Sequence, residues 1–258
     1  MRKRLALAAL VFTAAPASAQ VQPFVFTLTT LPAPRGARVG VRYEAGYAER
    51  TAPAFGYDGL EQRLAAQAAL GRGFTLVAQA GLGVLGEGGA GEILEAELLK
   101  DVLGASSAVR LALGGGIRRE WTGDPTLLAR ASLGHAGRRS TLFGNLRLEK
   151  PFAVDRDTVD LITSLGWHYR FGSAVHLGVE ALGEDLEGFW EPEEAEGGAR
   201  LFVGPSLHWS PPGRRVYASL AGGPIVYATR SGRTSDAPRP LGASGNGYTL
   251  RFSLGWVF

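Results

Sequence analysis

The last eleven residues, Tyr248-Thr249-Leu250-Arg251-Phe252-Ser253-Leu254-Gly255-Trp256-Val257-Phe258, decide the fold. Every second position, from Tyr248 through Leu250, Phe252, Leu254 and Trp256 to Phe258, is large and apolar. Thr249, Arg251, Ser253 and Gly255 between them are polar or small, and only Val257 breaks the rule. Alternation with period two marks a β-strand whose two faces meet different surroundings. Six bulky apolar residues on one face exceed what a half-buried strand of a water-soluble sheet usually carries.

The pattern repeats along the chain. Val39, Val41, Tyr43, Ala45 and Tyr47 alternate with Arg38, Gly40, Arg42, Glu44 and Gly46, and Phe74, Leu76, Ala78, Ala80, Leu82 and Val84 form a similar face. Segments 60–70, 109–117, 142–148, 159–169, 175–179 and 201–209 alternate likewise, and 126–134 does so over a shorter length. Two segments are less regular. Residues 92–103 (EILEAELLKDVL) have the composition of a helix and read as a strand only from their neighbours. Residues 215–227 carry Pro224 and apolar side chains on both faces, which leaves their facing open. Together the segments predict about twelve strands. Ten or fourteen are the alternatives, the latter because Phe24, Phe26 and Leu28 also alternate ahead of Pro32 and Pro34.

The connections sharpen this. Gly71-Arg72-Gly73, 101–106, 135–139, Phe171-Gly172-Ser173 and 210–214 are short, whereas 48–57, 85–91, 119–125, 150–158, 183–197 and 228–246 are mostly longer, and the two kinds alternate. Transmembrane β-barrels have short periplasmic turns, longer external loops, an even strand count and apolar-out, polar-in alternation. Lipid cannot hydrogen-bond an open sheet edge, so such strands must close on themselves.

Composition agrees. Of 258 residues 37 are glycine and none is cysteine, which removes disulfides, thiolate metal sites and cysteine nucleophiles. No apolar run after residue 20 is long enough for a membrane helix. At the start, Arg2, Lys3 and Arg4 precede an apolar run over 5–15, then Pro16 and Ala17-Ser18-Ala19, the order of a secretory signal peptide. Cleavage after Ala19 removes three of the 27 basic residues and leaves 24 against 24 acidic ones, so a nucleic-acid partner is not expected. The expected organisation is a signal peptide over 1–19, a lead segment over 20–36 and a transmembrane barrel over 37–258.

The signal peptide, the strand pattern and the terminal Tyr-x-Leu-x-Phe-x-Leu-x-Trp-x-Phe resemble a Gram-negative outer-membrane β-barrel protein. The resemblance covers about residues 37–258 and selects no subfamily. It implies residence in the cell outer membrane, with membrane lipid and the barrel-assembly machinery as partners. In that class Tyr248, Leu250, Phe252, Leu254, Trp256 and Phe258 correspond to the C-terminal signal that the machinery reads.

Alternation places Arg38, Arg42, Glu44, Glu61, Arg63, Arg110, Arg118, Arg130, Arg147, Glu149, Asp160, Arg170, Glu180, Arg200 and Arg251 on the inward face. Arginine pairs with carboxylates and anions through several hydrogen bonds. Two readings therefore stand. The charges form either an interior ion-pair network that fills the barrel, or the lining of a passive channel for small solutes, anionic ones among them. The alternatives to a channel are a non-conducting structural or surface-interaction barrel and an outer-membrane lipid-modifying enzyme. Against an enzyme, no G-x-S-x-G, H-E-x-x-H or P-loop occurs, and Ser244 has no histidine nearby in sequence. No cofactor is expected. The acidic residues of 184–196 lack the fixed spacing of a calcium loop and read as a solvated external loop, against which Arg230, Arg233 and Arg239 could fold as a lid.

The histidines form one further candidate cluster. A three-residue turn over 171–173 would pair His168 with His176 across strands, with His208 at a similar height on the next strand. Three imidazoles there would suit zinc or copper, or a charge change near neutral pH; independent polar lumen residues are the plainer reading.

Overall fold

The computed structural model describes residues 21–31, 38–51, 54–85, 90–104, 107–120, 125–152, 159–186, 199–227 and 246–258. The expected signal peptide over 1–19, most of the stretch read as an acidic loop and the arginines of 228–246 lie outside these residues.

Twelve strands form: β1 (Val39–Glu49), β2 (Gly59–Gly71), β3 (Phe74–Leu85), β4 (Ala90–Asp101), β5 (Val109–Glu120), β6 (Thr126–Ala136), β7 (Ser140–Pro151), β8 (Asp160–Phe171), β9 (Val175–Glu184), β10 (Arg200–Trp209), β11 (Val216–Tyr227) and β12 (Gly247–Val257). Each pairs antiparallel with its neighbours, and β12 returns to β1, setting Tyr43 opposite Leu254 and Val41 opposite Trp256. No edge is left, as a sheet in lipid requires. The short turns, Arg38 and the end of β12 gather at one mouth, the periplasmic end in barrels of this kind.

Alternation sets the two faces. Leu60, Leu64, Leu82, Leu94, Leu127, Leu146, Leu165 and Leu250 stand on the outer surface, each about half exposed or more. They belong to an apolar belt that runs round the barrel. Water-soluble proteins rarely expose contiguous apolar patches beyond a few hundred Å², so this belt is a lipid surface. Trp167, Phe171, Trp209, Trp256 and Phe258 thicken it near the short-turn mouth, with Tyr47 and Tyr248 near the other. Such girdles sit at membrane interfaces.

The two irregular segments resolve as strands. In β4, Ile93, Glu95, Glu97 and Leu99 turn inward and are buried, while Leu94 and Leu98 face lipid. Helical composition yields here to the pairing available on both sides, because an unpaired backbone in lipid costs more than a weak local preference. In β11, Tyr217, Ser219, Ala221 and Ile225 point inward, against Leu220 and Val226 outward.

The fourteen-strand alternative is corrected. Residues 21–31 belong to no strand; they lie inside the barrel, with Phe24, Thr27 and Thr29 buried. Above them an apolar cluster of Ile162, Leu182, Phe202 and Ile225 takes up Phe55 from the β1–β2 connection. Thr249 Oγ1 donates to the Phe55 carbonyl at 3.1 Å and holds that connection inward.

Candidate functional site: the barrel lumen

The inward charges meet in three groups. In the first, from β1, β2 and β12, Arg42 Nε lies 2.6 Å from Glu44, Arg63 pairs with Glu61, and Arg251 reaches Glu61 at 3.1 Å. The second spans β4 to β7. Arg130 clamps Glu97 with Nε and Nη2 at 2.7 and 2.6 Å. Arg118 and Arg147 each lie 2.5 Å from Glu149, and Arg147 also lies 3.4 Å from Glu95. The third joins Arg200 to Glu184 at 2.8 Å. Arg110 pairs with Asp101 near the short-turn mouth.

Period two explains these contacts. Residues two apart on one strand, such as Arg42 and Glu44, share a face, and cross-strand neighbours such as Glu44 and Arg63 bring the next charge alongside. The antiparallel ladder thus converts separate Arg and Glu positions into a connected network.

Of the predicted inward residues, Arg42, Glu44, Glu61, Arg63, Arg110, Arg118, Arg130, Arg147, Glu149, Glu180, Arg200 and Arg251 are buried or half-buried and hold partners. Asp160 is half-buried at the far end of β8. Arg38 and Arg170 are exposed at the short-turn mouth, Arg38 just ahead of β1 and Arg170 one residue before the end of β8. Glu95, Glu97 and Glu184 are members of the network that sequence reading missed. The first two sit in the helix-like segment; the third opens a stretch read as an acidic loop. Their signal was the i, i+2 spacing of Glu95 and Glu97 between Ile93 and Leu99.

Glu180 stands apart from the arginines. Its carboxylate is fully buried and accepts the backbone N–H groups of Val25, at 3.0 and 3.1 Å, and Phe26, at 2.6 Å. Ser206 Oγ donates to its Oε1 at 2.6 Å. A cavity of about 100 Å³ lies between residues 25–28 and the wall, room for several waters.

The histidine cluster forms with a different register. The turn is Gly172-Ser173-Ala174, with Gly172 at φ +76°, so Phe171 faces Val175 and Arg170 faces His176. His168 lies opposite Gly178; the predicted His168–His176 pair is corrected, because the turn starts one residue later. His176 instead faces His208 across β9 and β10. The His208 ring is 5.5 Å from His176 and 6.3 Å from His168, centroid to centroid. Their nitrogens turn elsewhere. His168 Nε2 meets Ser206 Oγ at 2.8 Å, His208 Nδ1 meets Ser219 Oγ at 2.8 Å, and Arg170 Nε donates to His176 Nε2 at 3.2 Å. Among the described residues no three histidines or carboxylates are placed to hold a metal ion.

A closed twelve-stranded antiparallel barrel with a lipid belt and a charged lumen is a transmembrane β-barrel. No protein-family model matches the chain, and no curated protein matches it by sequence. Solved structures do match. The chain is similar to the KdgM porin, with TM-score 0.56 and 10% identity over 85% of this chain and 99% of that one. It is similar to the NanC porin, with TM-score 0.59 and 8% identity over 84% and 98%. The KdgM porin in complex with disordered oligogalacturonate matches with TM-score 0.54 and 11% identity over 85% and 99%. At these identities the likeness is one of fold.

Proposed function

We propose that this protein is a passive outer-membrane channel for small anionic solutes. The observation that carries the reading is the charge of the short-turn mouth. Arg38, Arg72, Arg138, Arg139, Arg214 and Arg215 are exposed there, and Asp101, the one side-chain carboxylate described in those turns, is paired with Arg110. A basic mouth concentrates anions and raises the barrier to cations. Inside, the guanidinium groups offer the planar, multiple hydrogen bonding that carboxylates and phosphates accept. A porin of the same fold has been solved with oligogalacturonate, a carboxylate-bearing oligomer. A second reading, a non-conducting structural barrel, draws on the paired lumen charges and on the chain segment that fills the lumen.

Reversal potentials in planar bilayers under a salt gradient test this. Chloride should permeate in preference to potassium. Changing Arg72, Arg138, Arg139, Arg214 and Arg215 together to Gln should lower that preference several-fold, most at low ionic strength, where screening is weakest. A mouth variant with unchanged ion preference would remove the basis for an anionic solute. A barrel silent at all voltages, even without its lumenal segment, would favour the structural reading.

A further inference from the structure

Residues 21–31 are held as a ligand is held. The segment makes a U-turn in the lumen. Gln22 Nε2 donates to the Thr29 carbonyl at 2.8 Å, and the Thr29 N–H returns a bond to Gln22 Oε1 at 2.8 Å. At the bend, two successive N–H groups point at the Glu180 carboxylate. Its carbonyls are met by side chains of the wall: Ser219 Oγ donates to Pro23 at 3.0 Å, and Asn145 Nδ2 donates to Leu28 at 3.1 Å. Phe24 is fully buried beside Gly166, where an added Cβ would lie 2.6 Å from the phenyl ring. His168, two residues further along the same face of β8, also packs against that ring, with ring centroids 4.3 Å apart.

Nothing in this arrangement is sheet pairing. Among the described residues, no backbone-to-backbone hydrogen bond joins the segment to a strand, and the twelve strands close without it. Its backbone is held by side chains of the wall, and its own side chains add contacts such as Gln22 Nε2 donating to Gln67 Oε1 at 3.3 Å and the Phe26 ring against Phe202; these groups line a space water enters once the segment leaves. Polar groups released into water recover their hydrogen bonds, so departure exposes no unpaired donor or acceptor. A backbone held by a buried carboxylate, a serine and an asparagine, with one aromatic ring in a glycine slot, has the form of peptide recognition.

We propose that the lumen contains a binding site for a bent polypeptide segment, centred on Glu180 and the Gly166 slot, and that residues 21–31 are its resident occupant, a plug whose withdrawal opens the pore. The binding site stands by itself; its role in passage rests on the channel reading.

The chain lacking residues 22–30, and a second variant carrying a Gly-Ser run of equal length in their place, are refolded in detergent, with heat-modifiable migration as the check of folding. A fluorescein-labelled peptide of residues 21–31 is titrated against both by anisotropy. Both should bind it saturably, and the full chain, already occupied, should not. Glu180→Gln in these variants should weaken binding at least about tenfold, because the amide turns a donor toward two N–H donors and removes the charge. Gly166→Leu should weaken it similarly by filling the slot. In bilayers the two variants should conduct more than the full chain, and added peptide should return them to its level. If neither variant folds, the full chain with Thr29→Cys serves, since the native chain has no other thiol. Maleimide should label it slowly, and several-fold faster when Glu180→Gln is added.

A folded variant that binds no peptide, or labelling indifferent to Glu180, overturns the site. Conductance equal with and without the segment overturns its role as a plug. Peptide binding without current in any variant leaves the site standing and removes the channel reading.

Discussion

Phe258→Asp should reduce outer-membrane protein at least about tenfold in cells while leaving refolding into detergent largely intact, a contrast that follows from two different demands on one residue. Phe258 seals the seam: its N–H donates to the Val39 carbonyl at 2.7 Å, and its carbonyl accepts the Arg38 N–H at 2.7 Å. Both bonds use backbone and survive the substitution. The ring is 60% exposed on the lipid side near the mouth, where a charge costs only about 0–1 kcal/mol. Stability alone therefore changes little. We propose instead, from the resemblance to outer-membrane barrels, that Phe258 acts in recognition by the assembly machinery. Immunoblots of outer-membrane fractions, with and without heating, measure the first effect, and denaturation midpoints of refolded protein measure the second. Normal amounts of heat-modifiable Phe258→Asp protein in the outer membrane would remove that role.

Glu149→Ala should lower stability by about 3 kcal/mol, the lower end of the cost of breaking a buried ion pair by removing one partner. The lower end applies because the Arg118 side chain keeps 12% of its surface exposed and is partly solvated once unpaired. Glu149 is 2% exposed and accepts Arg118 Nη1 at 2.9 Å, with Arg147 Nη2 at 2.5 Å. Arg147 retains Glu95 at 3.4 Å. Arg118 retains no carboxylate within ion-pair distance among the described residues. The guanidinium-chloride midpoint of the protein in micelles should therefore fall clearly, and less for Glu149→Gln, which keeps an acceptor. The double change Arg118→Met, Glu149→Leu should recover part of the loss, since removing both partners relieves the unpaired charge. An unchanged midpoint for Glu149→Ala would mean that the network contributes nothing to stability.

The strands were readable because a lipid-facing strand has one simple rule, and Tyr248 to Phe258 obeys it at six positions running. The same rule located most of the arginines. It was weakest at β4, where Glu92, Leu94, Glu95, Leu98 and Leu99 also fit a helix, so the carboxylates that hold Arg130 and Arg147 were missed. Local composition cannot reveal that two neighbouring strands demand a third. The histidines show a second limit: one residue of turn length moved the partner of His168 from His176 to Gly178, although all three rings still gathered at one mouth. The third limit is residues 21–31. Phe24, Phe26 and Leu28 alternate as in a strand, yet their backbone is satisfied by side chains far away in sequence, Glu180 and Ser219 among them. No periodicity encodes an interior binding partner.

The lumenal segment is joined to β1 by residues 32–37 alone. A chain of that length spans at most about 20 Å when fully extended, so on this side an unseated segment cannot diffuse away. It stays beside the mouth at an effective concentration of the order of millimolar, typical of short linkers. Reclosure is then intramolecular and insensitive to protein concentration. A solute or peptide competing for the Glu180 site must outweigh that local concentration, so weak ligands will produce brief openings and only tight or abundant ones sustained flow. Lengthening the 32–37 connection would change the balance between open and closed pores without touching a single lumen contact.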